Sequence, residues 1–142
     1  MTKSAQRARI ARVRTLQHGI AATAAAQAAA RVRELEDSAE RLGLIHSSLR
    51  PADGLNPGAR IASLGELAMR LDDAREGLKR SIGFARQAAD AREGSRLVAR
   101  RDQEGAERLH GRALAAETRA AERRIAGLPP RRNRFGINGD PM

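Results

Sequence analysis

The stretch RPADGLNPG, Arg50 to Gly58, decides how this chain folds. Pro51 cannot continue a helix, because it lacks an amide proton and its ring clashes with the preceding turn. Asp53-Gly54 is a turn pair, and Pro57-Gly58 is a second punctuator. Asn56 followed by Pro57 reads as an N-cap and first helical position. Ser63 with Glu66 is a competing capping box. A second helix is therefore expected to begin between Asn56 and Leu64.

Upstream, from about Ser4 to Leu49, there is no proline, and Ala, Arg, Glu and Leu dominate. All four are strong helix formers. The apolar stripe reads Ile10, Val13, Leu16, Ile20, Ala24, Ala28, Val32, Leu35, Ala39, Leu42, His46 and Leu49. From Ala28 onward its steps alternate four and three, which is a heptad seam. Between Leu16 and Val32 every step is four, which reads as a stutter that relaxes the supercoil. A helix of about 4–49 would be on the order of 70 Å long.

Downstream, no proline occurs until Pro129. One heptad register runs through Leu64, Leu67, Leu71, Ala74, Leu78, Ser81, Ala85, Ala88, Arg92, Ser95, Ala99, Asp102, Ala106, Leu109, Ala113, Ala116 and Ala120. Its middle, Arg92 to Asp102, is polar and should pack poorly. Six scattered glycines (Gly65, Gly77, Gly83, Gly94, Gly105, Gly111) each cost roughly 1 kcal/mol against alanine, so a pliable helix of about 59–127 is expected. Gly127 followed by Leu128 and Pro129-Pro130 supplies the stop. Residues 129–142 are basic and Gly/Asn-rich, the composition of a flexible tail.

Two helices joined by the 50–58 break should fold into an all-α, long antiparallel two-helix coiled-coil hairpin covering residues 1–128. The longer second helix should project past the start of the first. Leu42 and Leu49 should lie near Leu64 and Leu67, and Ile10 and Val13 nearer Ala99 to Leu109. The prolines argue against a parallel dimer of extended rods. A hairpin that then forms a homodimer stays open, because alanine seams are thin.

Composition agrees with this shape. The 142 residues are 41% hydrophobic but only 1% aromatic, with Phe84 and Phe135 the sole aromatics. Alanine supplies most of the apolar count and buries little area, so a thick core cannot be filled. There is no cysteine, which excludes disulfides, thiolate zinc sites and cysteine nucleophiles. His18, His46 and His110 are far apart in sequence, and His46 falls on the seam. No catalytic constellation, metal-ligand set or phosphate-binding glycine loop emerges, so no enzyme activity, cofactor or metal is expected. Asp72-Asp73 and Glu104 with Glu107 read as solvated faces, with Asp72 near Arg75 and Glu104 near Arg108.

The start of the chain superficially resembles a secretory signal: basic residues, then GIAATAAAQAAA from Gly19 to Ala30. Ile20 is the only large side chain in that stretch, and no segment approaches the roughly 20 apolar residues that cross a bilayer. A cytoplasmic protein is expected.

Charge is the strongest functional signal. The formal net charge is +10, and the first acid is Glu34. A hairpin brings Arg7, Arg9, Arg12 and Arg14 alongside Arg112, Arg119, Arg123 and Arg124 at the open end. The turn end carries Glu34, Glu36, Asp37, Glu40, Asp53 and Glu66. These eight arginines are the candidate partner-binding residues, and they call for an anionic partner. A basic coiled-coil nucleic-acid-binding protein and an unassigned coiled-coil adapter are the alternatives. Acids interleaved in the second helix (Asp90, Glu93, Glu104, Glu107) make nucleic acid the weaker of the anionic partners.

The length, the hairpin, the acid-free start RARIARVRTLQ (Arg7 to Gln17) and Glu122-Arg123-Arg124 near the end of the second helix together resemble the FliJ family of flagellar export proteins and its type III secretion stalk relatives. The resemblance covers residues 1 to about 128. It implies a non-enzymatic antiparallel coiled coil like the central stalk of rotary ATPases. Its open end would enter the ring of the export ATPase. Further contacts would reach an export gate membrane protein and export chaperones. The place implied is the cytoplasmic side of the inner membrane, at the flagellar basal body.

Overall fold

The computed structural model describes residues 2–49 and 57–128. Two helices make up the fold: α1, Lys3–Ser48, and α2, Gly58–Ala126. They pack antiparallel along their lengths as a two-helix hairpin, with no strand among the described residues. Residues 50–56 of the expected turn and the expected tail, 129–142, lie outside the described residues. No described helix is long and apolar enough to cross a membrane.

Local chemistry explains the helix ends. Thr2 caps α1, its hydroxyl accepting from the Ala5 N–H at 3.2 Å. At the other end the Ser47 and Ser48 hydroxyls donate to the Leu44 and Ile45 carbonyls at 2.8 and 2.7 Å. The Leu49 N–H closes the last turn on the His46 carbonyl at 3.3 Å. Pro57 caps α2 with no side-chain bond, and its carbonyl receives the Arg60 N–H at 2.9 Å. Ser63 does not act as a cap; its hydroxyl donates to the Arg60 carbonyl inside the helix. Gly127 ends α2 in right-handed geometry (φ −82°), its N–H reaching the Arg123 carbonyl at 3.1 Å.

The register is set by four cross-helix contacts: Ser4 with Glu117, Arg14 with Asp102, Glu36 with Arg86, and His46 with Asp72. Ile10 accordingly shares a groove with Asp102, Gly105, Ala106 and Leu109, as expected. Leu42 does not lie beside Leu64 or Leu67. With His46 at Asp72, it comes level with roughly residue 76, more than two turns further along α2. Because α2 is 69 residues and α1 is 46, α2 overhangs at both ends. The final two turns or so, roughly 12 Å, extend beyond α1 at the open end. Roughly three turns extend at the other end, an overhang the sequence did not announce.

Half of the expected α1 seam is correct. Ala28, Val32, Leu35, Ala39, Leu42, His46 and Leu49 are all half-buried. Ala24 is half-buried as well, but the expected positions before it are not: Leu16 is 68% and Ile20 72% exposed, and Ile10 and Val13 are also exposed. The seam there is Ser4, Arg7, Ala11, Arg14, His18, Ala22 and Ala25. Step size explains the correction. Each four-residue step advances a stripe by about 40° around the helix, so the four steps from Leu16 to Val32 rotate it by about 160°. A stripe that faces α2 at Val32 therefore faces solvent at Leu16.

In α2 one row of the expected seam is displaced by a single residue. Leu71, Leu78, Ala85, Ala99, Ala106 and Ala113 face α1, and Leu64 and Ala120 are half-buried in the overhangs, but Leu67, Ala74, Ser81, Ala88, Asp102, Leu109 and Ala116 are exposed. Their successors take the inner place: Ala68, Arg75, Ile82, Ala89, Gln103, His110 and Glu117. Every residue from Asp90 to Ser95 is exposed, so the polar middle packs as poorly as expected. The buried apolar residues among those described are Ala25 and Ala106 alone.

Candidate partner-binding end

At the open end Ser4 holds the two helices together. Its backbone N–H and hydroxyl both donate to the Glu117 carboxylate, at 2.9 and 2.5 Å. Its carbonyl accepts from His110 Nδ1 at 3.2 Å, which places the proton of a neutral ring on that nitrogen. The first turn of α1 carries no acid of its own. Glu117 supplies the missing negative charge from the other helix, where the α1 macrodipole favours it. The Ser4 hydroxyl, then its N–H, then His110 hold the Glu117 carboxyl below the usual glutamate range.

Seven of the eight expected arginines divide among three surfaces. Arg7 and Arg14 line one flank of the hairpin with Ile10, Arg101 and Leu109. Lys3, Arg112 and Arg124 continue that flank past Arg7. Arg12 lies on the opposite flank with Thr15, Leu16 and His110. Arg119, Arg123 and Arg124 are exposed on the overhanging end of α2, where the Arg123 Nε donates to the Arg119 carbonyl at 3.3 Å. Arg9 is exposed on α1. Sequence reading missed Lys3, Arg101, Ile10 and Leu109 as parts of the same surface. The heptad pattern places Ile10 and Leu109 in the helix seam, which conceals their part in this flank.

Arg14 is already engaged, donating to Asp102 at 3.1 Å and to Gln17 at 3.0 Å. Arg7, Arg101, Arg112 and Arg124 form no ion pair among the described residues. The remaining acids are largely matched within the hairpin. Glu104 accepts from Arg100 rather than the expected Arg108, because the Arg100 guanidinium reaches it at 2.9 Å one turn earlier. Glu107 accepts from Gln103, and Asp72 lies 3.7 Å from Arg75 as expected.

The histidines do not converge. His110 is bound to Ser4, His46 lies 3.3 Å from Asp72, and His18 has a buried Nε2 without a partner in the described structure. Among the described residues no three metal-ligating side chains come together. Compared with known protein families, curated proteins and solved structures, the chain matches none.

Proposed function

We propose that this protein is a non-enzymatic coiled-coil stalk and chaperone of the flagellar, type III protein export apparatus, coupling the export ATPase to the export gate. The observation that carries the reading is the open end of the hairpin. There, among the described residues, α2 extends beyond α1, and Arg119, Arg123 and Arg124 are exposed on that extension. A narrow rod with a cationic tip suits a ring pore lined by carboxylates, which would attract the tip and orient it. The partners proposed are a rotary-type export ATPase ring, an export gate membrane protein and export chaperones. The proposed place is cytoplasmic and peripheral to the inner membrane at the basal body.

The test is stimulation of the export ATPase. Arg9, Arg12, Arg119 and Arg123 are changed together to Glu, and helical content is followed by circular dichroism. The reading requires that wild type stimulates the ATPase, that the arginine variant does not, and that both stay helical. Changing Glu40 and Glu66 to Lys, with Glu36 kept because it pairs with Arg86 across the helices, should leave stimulation nearly unchanged. The two ends lie tens of ångströms apart, and the Debye length is about 8 Å at physiological salt. Equal loss from both sets, or tight duplex DNA binding at physiological salt, would overturn the reading.

A further inference from the structure

We propose that one flank of the open half is a docking groove for an acidic amphipathic helix of another protein. The groove runs from Asp102 to Arg124 along α2, roughly 30 Å at the helical rise. Its floor is apolar and low, with Ala and Gly between two larger side chains, Ile10 and Leu109. These are 46% and 44% exposed. Its rim is cationic, formed by Lys3, Arg7, Arg101, Arg112 and Arg124. Both carboxylates on it are occupied from within, Asp102 by Arg14 and Glu117 by Ser4.

The hairpin register creates this surface. Contact with α1 goes to the polar row Gln103, His110 and Glu117. The neighbouring row, with Leu109 and Ala116, is turned onto the flank and left uncovered. A heptad pattern keeps such a row when a further helix packs on it. The length of the groove matches a helix of about 20 residues. The small floor residues let a helix backbone approach closely, and the arginine rim selects glutamate and aspartate beside its apolar stripe.

Two other occupants fit less well. A second copy docked on the same face by a two-fold axis would set one cationic rim against the other, with like charges in register. Duplex DNA would neutralise the rim but offers Ile10 and Leu109 no apolar contact. The inference rests on the stalk reading only in taking the open end as the end that meets partners.

The probe is a fluorescein-labelled peptide of about three heptads, with leucine at a and d and glutamate elsewhere. Its binding to the full chain is followed by anisotropy at physiological salt. Wild type should bind it, and a leucine-to-serine version should bind at least about tenfold more weakly. Ile10→Asp with Leu109→Asp should cost about tenfold or more, and Leu16→Asp on the outer face less than about twofold. Gly105→Glu guards against a folding artefact. A Cβ there meets nothing within 4 Å and Glu is the better helix former, so the variant should keep its ellipticity by circular dichroism yet lose the peptide.

Three results would overturn the groove: equal binding of the serine peptide, duplex DNA bound as tightly as the peptide, or a dimer by sedimentation equilibrium that the Ile10/Leu109 variant dissolves. Peptide binding by a chain that does not stimulate the ATPase would leave the groove standing and remove the stalk. Stimulation by a wild type that ignores the peptide would do the reverse.

Discussion

Ser4 near the start of α1 and Glu117 near the end of α2 are joined by two hydrogen bonds, so the carboxylate of one helix caps the other. The contact completes the amino end of α1 and sets where the two helices stop sliding past each other. Replacing Glu117 by Gln keeps the shape but removes the charge that both donors and the α1 dipole favour. The melting temperature at neutral pH should fall, with the loss concentrated in the first turns of α1. Amide hydrogen exchange should show faster opening there and little change around Leu35.

The same contact makes stability depend on pH. The Glu117 carboxyl titrates lower in the folded chain than in the unfolded one. Its contribution is therefore complete above the unfolded glutamate value, about 4.3, and is lost as pH falls through the native value below it. Glu76 and Glu93 are lowered in the same direction by Lys79 and Arg96. Acid melting of wild type should therefore be steeper below about pH 4.3 than that of Glu117→Gln. Parallel curves would show that this carboxylate is uncoupled from folding.

Leucines that share the same periodicity should differ in cost. Leu78 is half-buried against α1, and Leu16 is 68% exposed. Leu78→Ala should cost about 2 kcal/mol, the lower end for a buried leucine because the groove stays partly wet. Leu16→Ala should stay within about 0.5 kcal/mol. Urea denaturation followed by helical ellipticity separates the two. A large loss at Leu16 would mean that its outer face is covered in solution.

Gly83 and Gly94 sit in the interior of α2, and a Cβ at either meets nothing within 4 Å. Substitution by Ala should raise stability by up to about 1 kcal/mol each, since only the backbone entropy changes. Thermal melting of the single and double variants checks both the sign and the additivity.

Cross-helix ion pairs should contribute little by comparison. Arg14 and Asp102 are 43% and 46% exposed, so a double-mutant cycle should give less than about 1 kcal/mol of coupling. That coupling should shrink as salt is raised. Coupling that survives molar salt would indicate a far drier seam than the exposure of this pair implies.

The end of one helix at Ser48, the start of the next at Gly58 and the seam from Ala28 to Leu49 were legible in the sequence, because each depends on local chemistry. A ring without an amide proton stops a helix wherever it stands, and alternating steps of four and three keep large side chains on one face. The antiparallel arrangement followed from the same facts. The sequence alone also revealed the cationic open end, since charge needs no register to be counted.

Tertiary structure decided which faces meet in the open half, and through them the surface offered to a partner. Between Gly19 and Ala30 alanine occupies nearly every side of α1, so periodicity has no large side chain to follow. In α2 two adjacent rows compete for the seam, and the apolar one loses. Burial of Leu109 and Ala116 gives way to the row that places Glu117 on Ser4 and His110 on the Ser4 carbonyl. Those partners are more than 100 residues apart in the chain. Where the apolar seam is made of alanine, each buried methyl contributes too little to fix a register. A few long-range polar contacts then choose it, and a pattern read along the chain cannot detect them.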